Sequence, residues 1–464
     1  MLRRLELLHA VFGEMVRSNE QRPNQVTIYY FGSVKTFLPY TPIAIRAKDR
    51  VAGFYQHGPD RSVIVVSPVW DDEGAQRLIF HEYIHHLSRV SGDDPALWYT
   101  EGMAEFFSTI EEDRKNLSLG LPIVEHVNHL RRTKLMPLGA LFGIDHESAS
   151  YNEAERAGLF YAQSWALLHY WYCGIIGLTP EQMAARDRFL AVVRSEGEKG
   201  DPVKREALFK EAMGMDYVKT VAALERYVRN GRYSWSKIPL PDIPDTSTYT
   251  VESVTRPEIT RRLAELDLRV NQSGRAKLAM LEAITEKEVD IRALEVLGTD
   301  AMREGDVATA RERWQQAFDL GTTNAGVIHE LAALEGNLWF SRLDVFFELP
   351  LATADKLRTL LFRSIEHAPN QSQAYEILAW VEATVKKPSS RNVNLVQQHL
   401  PAMHGRTRAL LALALVRTRI EDFATARLLL NQAETEATAP PAHQWIEVLR
   451  EHIKHKEASS TGRS

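Results

Sequence analysis

Fifteen residues separate His85 from Glu101, and that spacing restricts how this 464-residue chain can fold more than any other feature. The segment DDEGAQRLIFHEYIHHLSRV (71–90) opens with acidic residues and carries apolar ones, among them Leu78, Ile84 and Leu87, at helical spacing. It therefore predicts a helix bearing His81-Glu82-x-x-His85. Four residues advance a helix by about 400°, so His81 and His85 project from one face, a turn apart. Ser91-Gly92-Asp93-Asp94-Pro95 stops that helix and starts a second, ALWYTEGMAEFFSTI (96–110). Fifteen intervening residues suffice for a tight turn and an antiparallel return, which lets Glu101 face the two histidines.

That arrangement has the chemistry of a metal site. Two imidazoles a turn apart can share a zinc ion at about 2.0–2.1 Å each, and zinc needs a third protein ligand while keeping one position open. His81, His85 and Glu101 are the expected ligands. Glu82 lies about 100° around the helix, beside such an ion, where it can take a proton from water as a general base. Glu105, four residues after Glu101, falls on the same face and is placed to accept the remaining N–H of a ligand histidine. The alternative is that Glu101 and Glu105 form a solvated stripe, against which Trp98, Phe106 and Phe107 argue for a buried helix.

Other candidates fare worse. His86 stands about 140° from His81 and should point off the metal. His126 and His129 read as surface or packing histidines. Asp71-Asp72-Glu73 reads as a charge cluster at a helix N-terminus rather than a calcium site. Cys173 is the only cysteine, so an intramolecular disulfide and a Cys-rich zinc knuckle are both excluded. Its neighbourhood, LLHYWYCGIIG, marks it as a small buried hydrophobe.

The length favours two domains. An N-terminal segment, MLRRLELLHAVFGEMV, reads as an amphipathic helix. QVTIYYFG, VAGFYQ and SVIVVSP read as strands, the last two joined by a turn at His57-Gly58-Pro59-Asp60 into a hairpin. Helical segments continue to about Arg232, so residues 1–235 are expected to form an α+β domain of a small β-sheet plus helices. Pro239, Pro241, Pro244 and Pro257 exclude helix from much of 236–258, which reads as a linker. Residues 259–455 are helical in pattern with an internal period. Leu297-Gly298, Ala310, Trp314 and Ala317, with Gly305-Asp306 as the turn, have tetratricopeptide-repeat spacing. Leu331-Ala332, Leu378-Ala379 and the set Leu413-Ala414, Ala426, Leu430 and Ala433 repeat parts of it, with an insertion around 337–353. An unrelated helical bundle is the competing reading. Residues 456–464 are polar and expected to be a disordered tail.

At HEYIHH and WYTEGMAEFF the chain resembles the gluzincins, in which a helix bearing HExxH precedes one bearing the Glu ligand. More closely, it resembles the bacterial peptidase MA-like family, whose second motif reads W-x-x-E-G-x-A-E. The resemblance covers roughly residues 1–230. It implies a zincin-like catalytic domain, with Zn2+ on His81, His85 and Glu101 and Glu82 as base of a metallopeptidase acting on a peptide or protein substrate. AGLFYAQSWALLHYW is similar to the segment where these families place a tyrosine, which would make Tyr161 the donor to the oxyanion. From the residues alone, packing beside Trp165 is the other reading. Aminopeptidase N-type enzymes carry G-x-M-E-N upstream, and residues 1–80 contain none, which weighs against exopeptidase activity. An edge strand near VAGFYQ would instead hold an extended substrate backbone.

Net charge is -5, which gives no electrostatic reason to expect nucleic acid. No run of 18 apolar residues is present, so no transmembrane segment is expected. The first helix is broken by Glu6, His9 and Glu14, unlike a signal peptide. The chain opens inside a helix, which is compatible with a preceding segment and leaves the compartment, cytoplasmic or periplasmic, open. Two functions are compatible with all this: a zinc metallopeptidase whose helical repeats recruit a protein partner or substrate, and an inactive zinc fold serving as a scaffold through its repeats. Glu82 favours the first, because a purely structural site needs no base.

Overall fold

The computed structural model describes the chain except for residues 17–24, 43–51, 68–71, 91–94, 149–153, 176–177, 197–200, 272, 286–288, 341–343, 404–405, 437–439 and 462–464. Asp71 and the turn at 91–94 lie outside the described residues. Two compact units are present: Met1–Ser18, Val26–His57 and Val63–Ser253 form the first, and Asn19–Gln25, Gly58–Ser62 and Val254–Ser464 the second.

The first unit is α+β. Helix α1 (Leu2–Val16) buries Leu5, Leu7, Leu8, Val11 and Phe12, the amphipathic stripe read from its sequence. Strands β1 (Gln25–Tyr30), β2 (Gly53–Gln56) and β3 (Arg61–Val66) make a sheet in the order β1-β3-β2. β2 and β3 pair antiparallel with Tyr55 opposite Ile64, the expected hairpin. β3 is buried along its length, as suits its central place and its run of β-branched residues. β2 is an edge.

Helix α2 (Asp72–Val90) buries Ala75, Ile79, Phe80, Ile84 and Leu87 in the core, leaving His81, Glu82 and His85 on a different face. Helix α3 (Leu97–Phe107) is apolar around nearly its whole circumference and is correspondingly buried. It packs against α6 (Ala154–His169), and Gly102 is where the two approach closely: a Cβ there would meet the Ser164 carbonyl oxygen at 2.8 Å. Between them come β4 (Glu111–Glu112), β5 (Asn116–Leu119), α4 (Val124–Arg132) and α5 (Leu138–Phe142). Helices α7 (Pro180–Glu196), α8 (Pro202–Met213) and α9 (Tyr217–Asn230) follow α6. Cys173 is buried among apolar residues, as its sequence surroundings require.

Residues 236–258 are less of a linker than their prolines suggest. Ser236–Pro239 form β6, which pairs antiparallel with β5 at the edge of a second sheet, β4-β5-β6. Proline is tolerated there because an edge strand does not need every N–H. The same segment holds a helical turn at Thr246–Thr248 and the first residues of the next helix.

The second unit is all-α: α10 (Arg256–Asn271), α11 (Gly274–Ala283), α12 (Ile291–Arg303), α13 (Val307–Asp319), α14 (Ala325–Phe340), α15 (Leu351–His367), α16 (Ser372–Thr384), α17 (Ser390–His399), α18 (Thr407–Arg419), α19 (Phe423–Glu436) and α20 (Pro440–Thr461). From α10 to α17, and again from α18 to α20, each helix packs on the next, and α18 packs on α16. In the α12–α13 hairpin, Gly305 takes φ 82° at the turn and Asp306 caps α13 by accepting the Thr309 N–H. The Trp314 ring lies over Gly298, where a Cβ would stand 2.4 Å from it. Leu331, Ala332, Leu378, Ala379, Leu413, Ala414, Ala426, Leu430 and Ala433 are all buried.

The expectation of a disordered tail over 456–464 is corrected as far as Thr461. Helix α20 runs as far as Thr461, and within it Glu457 pairs with Arg427 of α19 at 2.7 Å. No described helix is long and apolar enough to cross a membrane.

Candidate metal centre

Helices α2 and α3 bring three ligand atoms together. His81 Nε2 and His85 Nε2 are 3.1 Å apart, and Glu101 Oε2 lies 3.3 Å from each. Among the described residues these three form the one such group of His, Cys, Asp or Glu side chains. Three ligands of a tetrahedral zinc, each at about 2.0–2.2 Å, stand roughly 3.3 Å from one another. The triangle therefore has the size of one face of a zinc tetrahedron, and its two nitrogens and one oxygen suit that ion's borderline softness.

Burial decides the charge state of these groups. Glu101 is 2% exposed, which rules out a solvated stripe. Burial alone would neutralise its carboxyl, but the His85 and His81 imidazoles overcome this and hold it well below the usual carboxylate range. Burial likewise disfavours the His81 imidazolium. A hydrogen bond to Glu101 and the charges of Glu105, Glu101 and Glu82 outweigh that and raise it to about 9.

Glu82 sits beside the triangle. Burial pushes its carboxyl up, the His81 and His85 imidazoles pull it down, Glu101 pushes it up again, and the backbone N–H of Tyr55 donates to it. The net direction is upward. A carboxylate so placed is a better proton acceptor than one in water. Tyr55 belongs to β2, an edge strand among the described residues, so the base and that strand are neighbours.

Glu105 Oε1 lies 3.5 Å from His81 Nδ1, the nitrogen turned away from the triangle. Tyr161, half-buried on α6, has its ring centroid 6.3 Å from that of His81. His86 is turned away: it stacks on Tyr83, faces the Tyr55 hydroxyl at 3.5 Å, and burial drives its pKa down to about 3.

One residue does not fit the expectation. His126 is not a mere surface or packing histidine, because its Nε2 stands 3.2 Å from Glu105 Oε2. Nothing in VEHVNHLRR signals this, since the contact depends on where α4 packs. His129, one turn on, does not join the group. No protein-family model matches the chain, and comparison with curated proteins finds no significant match.

Proposed function

We propose that the first unit is a zinc-dependent metallopeptidase of the gluzincin type, cleaving peptide bonds with Glu82 as general base. The observation that carries this reading is the triangle of His81 Nε2, His85 Nε2 and Glu101 Oε2 at 3.1–3.3 Å with Glu82 beside it. Zinc, when bound, supplies a Lewis acid for the scissile carbonyl and lowers the pKa of a water. Glu82 accepts a proton from the attacking water and can later return it to the leaving amine. Tyr161 is the candidate donor to the carbonyl oxygen as charge develops there. β2, an edge strand among the described residues that carries Tyr55 next to Glu82, suits an extended substrate backbone laid alongside it, which favours an endopeptidase.

We read the second unit as tetratricopeptide-like repeats that recruit a protein partner or substrate. Its support is the sequence period together with the buried small residues where its helices pack.

The test is to purify the chain, measure its zinc stoichiometry and assay casein cleavage with and without chelator. One zinc per chain and chelator-sensitive cleavage are expected. A chain that holds zinc but cleaves nothing in a broad peptide library would sink the peptidase reading in favour of a scaffold. A chain that holds no zinc would sink the metal centre itself.

A further inference from the structure

We infer that His126 is a positioning residue for the metal centre, acting through Glu105 on His81. The inference rests on the reading of His81, His85 and Glu101 as metal ligands.

The two oxygens of Glu105 face imidazoles from two different helices. Oε1 is 3.5 Å from His81 Nδ1 on α2, and Oε2 is 3.2 Å from His126 Nε2 on α4. The three side chains keep only 13%, 13% and 15% of their accessible surface, so water can do little to hold this carboxylate. An ionised carboxylate can only accept, so these close contacts are favourable when each imidazole turns an N–H toward it, although they are electrostatic contacts and not aligned hydrogen bonds. For His81 that means a proton on Nδ1 and a lone pair on Nε2, the tautomer able to bind a metal ion from the triangle side.

A carboxylate held at one oxygen alone is free to turn about its Cγ–Cδ bond. The His126 ring beside Oε2 restricts that turning, so Oε1 stays on the His81 side and the His81 ring keeps its orientation. α4 packs on α6, whose Trp165 ring lies 5.8 Å from the His126 ring, and Arg77 Nη1 of α2 reaches Glu125 Oε2 at 3.3 Å. The chain of influence runs His126, Glu105, His81, and each link is a pair of atoms on different helices.

The experiment is the rate of zinc release from the loaded full-length chain to an excess of chelating indicator near neutral pH. The proteins are wild type, His126→Phe, His126→Gln, Glu105→Ala and the double variant Glu105→Ala/His126→Phe, with thermal melts on each. Loss of an outer partner costs roughly 10–100-fold in metal affinity, so His126→Phe is expected to speed release about tenfold. His126→Gln keeps an N–H toward Glu105 and should restore most of the wild-type rate. In the Glu105→Ala background His126→Phe should add less than about twofold, because the path it acts through is gone. If Phe is not accommodated beside Trp165 and the melt collapses, His126→Leu takes its place. Release from His126→Phe or His126→Leu at the wild-type rate overturns the inference, as does an undiminished effect in the Glu105→Ala background. Those outcomes leave the metal centre standing, whereas a wild-type chain that retains no zinc removes both readings together.

Discussion

His81 Nε2 and His85 Nε2 stand 3.1 Å apart, each 3.3 Å from the same Glu101 oxygen. Two imidazole lone pairs turned toward one point repel unless a proton or a cation lies between them. Glu101 adds charge to that point from within the core, so its removal costs both a ligand and the neutralisation of the ion. Glu101→Ala is expected to weaken zinc binding by more than the roughly 100-fold upper figure for losing an outer partner. Competition against a chelating indicator checks this, and unchanged affinity would demand a different third ligand.

Glu82 is the group whose role separates an enzyme from a structural site. Its carboxyl is pushed upward by burial and accepts the Tyr55 N–H, yet it is not part of the ligand triangle. Glu82→Gln keeps the size and the hydrogen bonding while removing the base. Cleavage should fall by about 10²–10⁴-fold, the usual worth of a positioned acid–base group. Zinc content should stay at the wild-type level. Activity near wild type in a zinc-loaded Glu82→Gln chain would mean another group takes the proton.

The parts of this site legible in the sequence are those set by local geometry. His81 and His85 share a face because of helical pitch, and Glu101 was expected to meet them because so few residues separate it from His85 in the sequence. The hairpin of β2 and β3 was readable for the same reason. His126 was not, because its approach to Glu105 depends on how α4 packs after the β4–β5 hairpin, and no periodicity encodes that. β6 was hidden likewise: Ser236–Pro239 find their partner far back in the chain at β5, while the prolines nearby suggest an unstructured linker. The C-terminal residues read as frayed because they are polar, and composition alone does not show that helix α20 continues to Thr461.

Gly102 offers a test of how tightly the ligand helix is held. A Cβ on it would meet the Ser164 carbonyl oxygen and Leu168 Cδ1, both at 2.8 Å. The Leu168 side chain can move, but the carbonyl belongs to helix α6 and cannot do so alone. Gly102→Ala should therefore force α3 and α6 apart and destabilise the first unit by about 1–3 kcal/mol, the range for overpacking. Because Glu101 precedes it, zinc release should also quicken. A melt and a release rate both equal to wild type would show that the two helices are not in close contact.

A last prediction concerns acid sensitivity away from the metal. His169 is fully buried on α6, with Nε2 at 2.7 Å from the Gly120 carbonyl oxygen and Nδ1 at 2.8 Å from the Tyr227 hydroxyl. The carbonyl can only accept, so Nε2 carries the proton, and Nδ1 accepts from Tyr227 in the neutral ring. Burial lowers the pKa from 6.5 to about 4, a drop that the hydrogen bond to Gly120 only partly opposes. The unfolded chain therefore binds a proton between those two values that the folded chain refuses. The stabilisation is complete above the unfolded value and is lost as pH falls toward the folded one. At about 1.4 kcal/mol per pKa unit, acidifying from neutral to pH ~5 should cost on the order of 2 kcal/mol from this residue alone. His169→Gln lowers stability at neutral pH but removes this titration, so its unfolding free energy should fall less steeply over the same range. Equal slopes for variant and wild type would mean that His169 accepts a proton in the folded chain as readily as in the unfolded one.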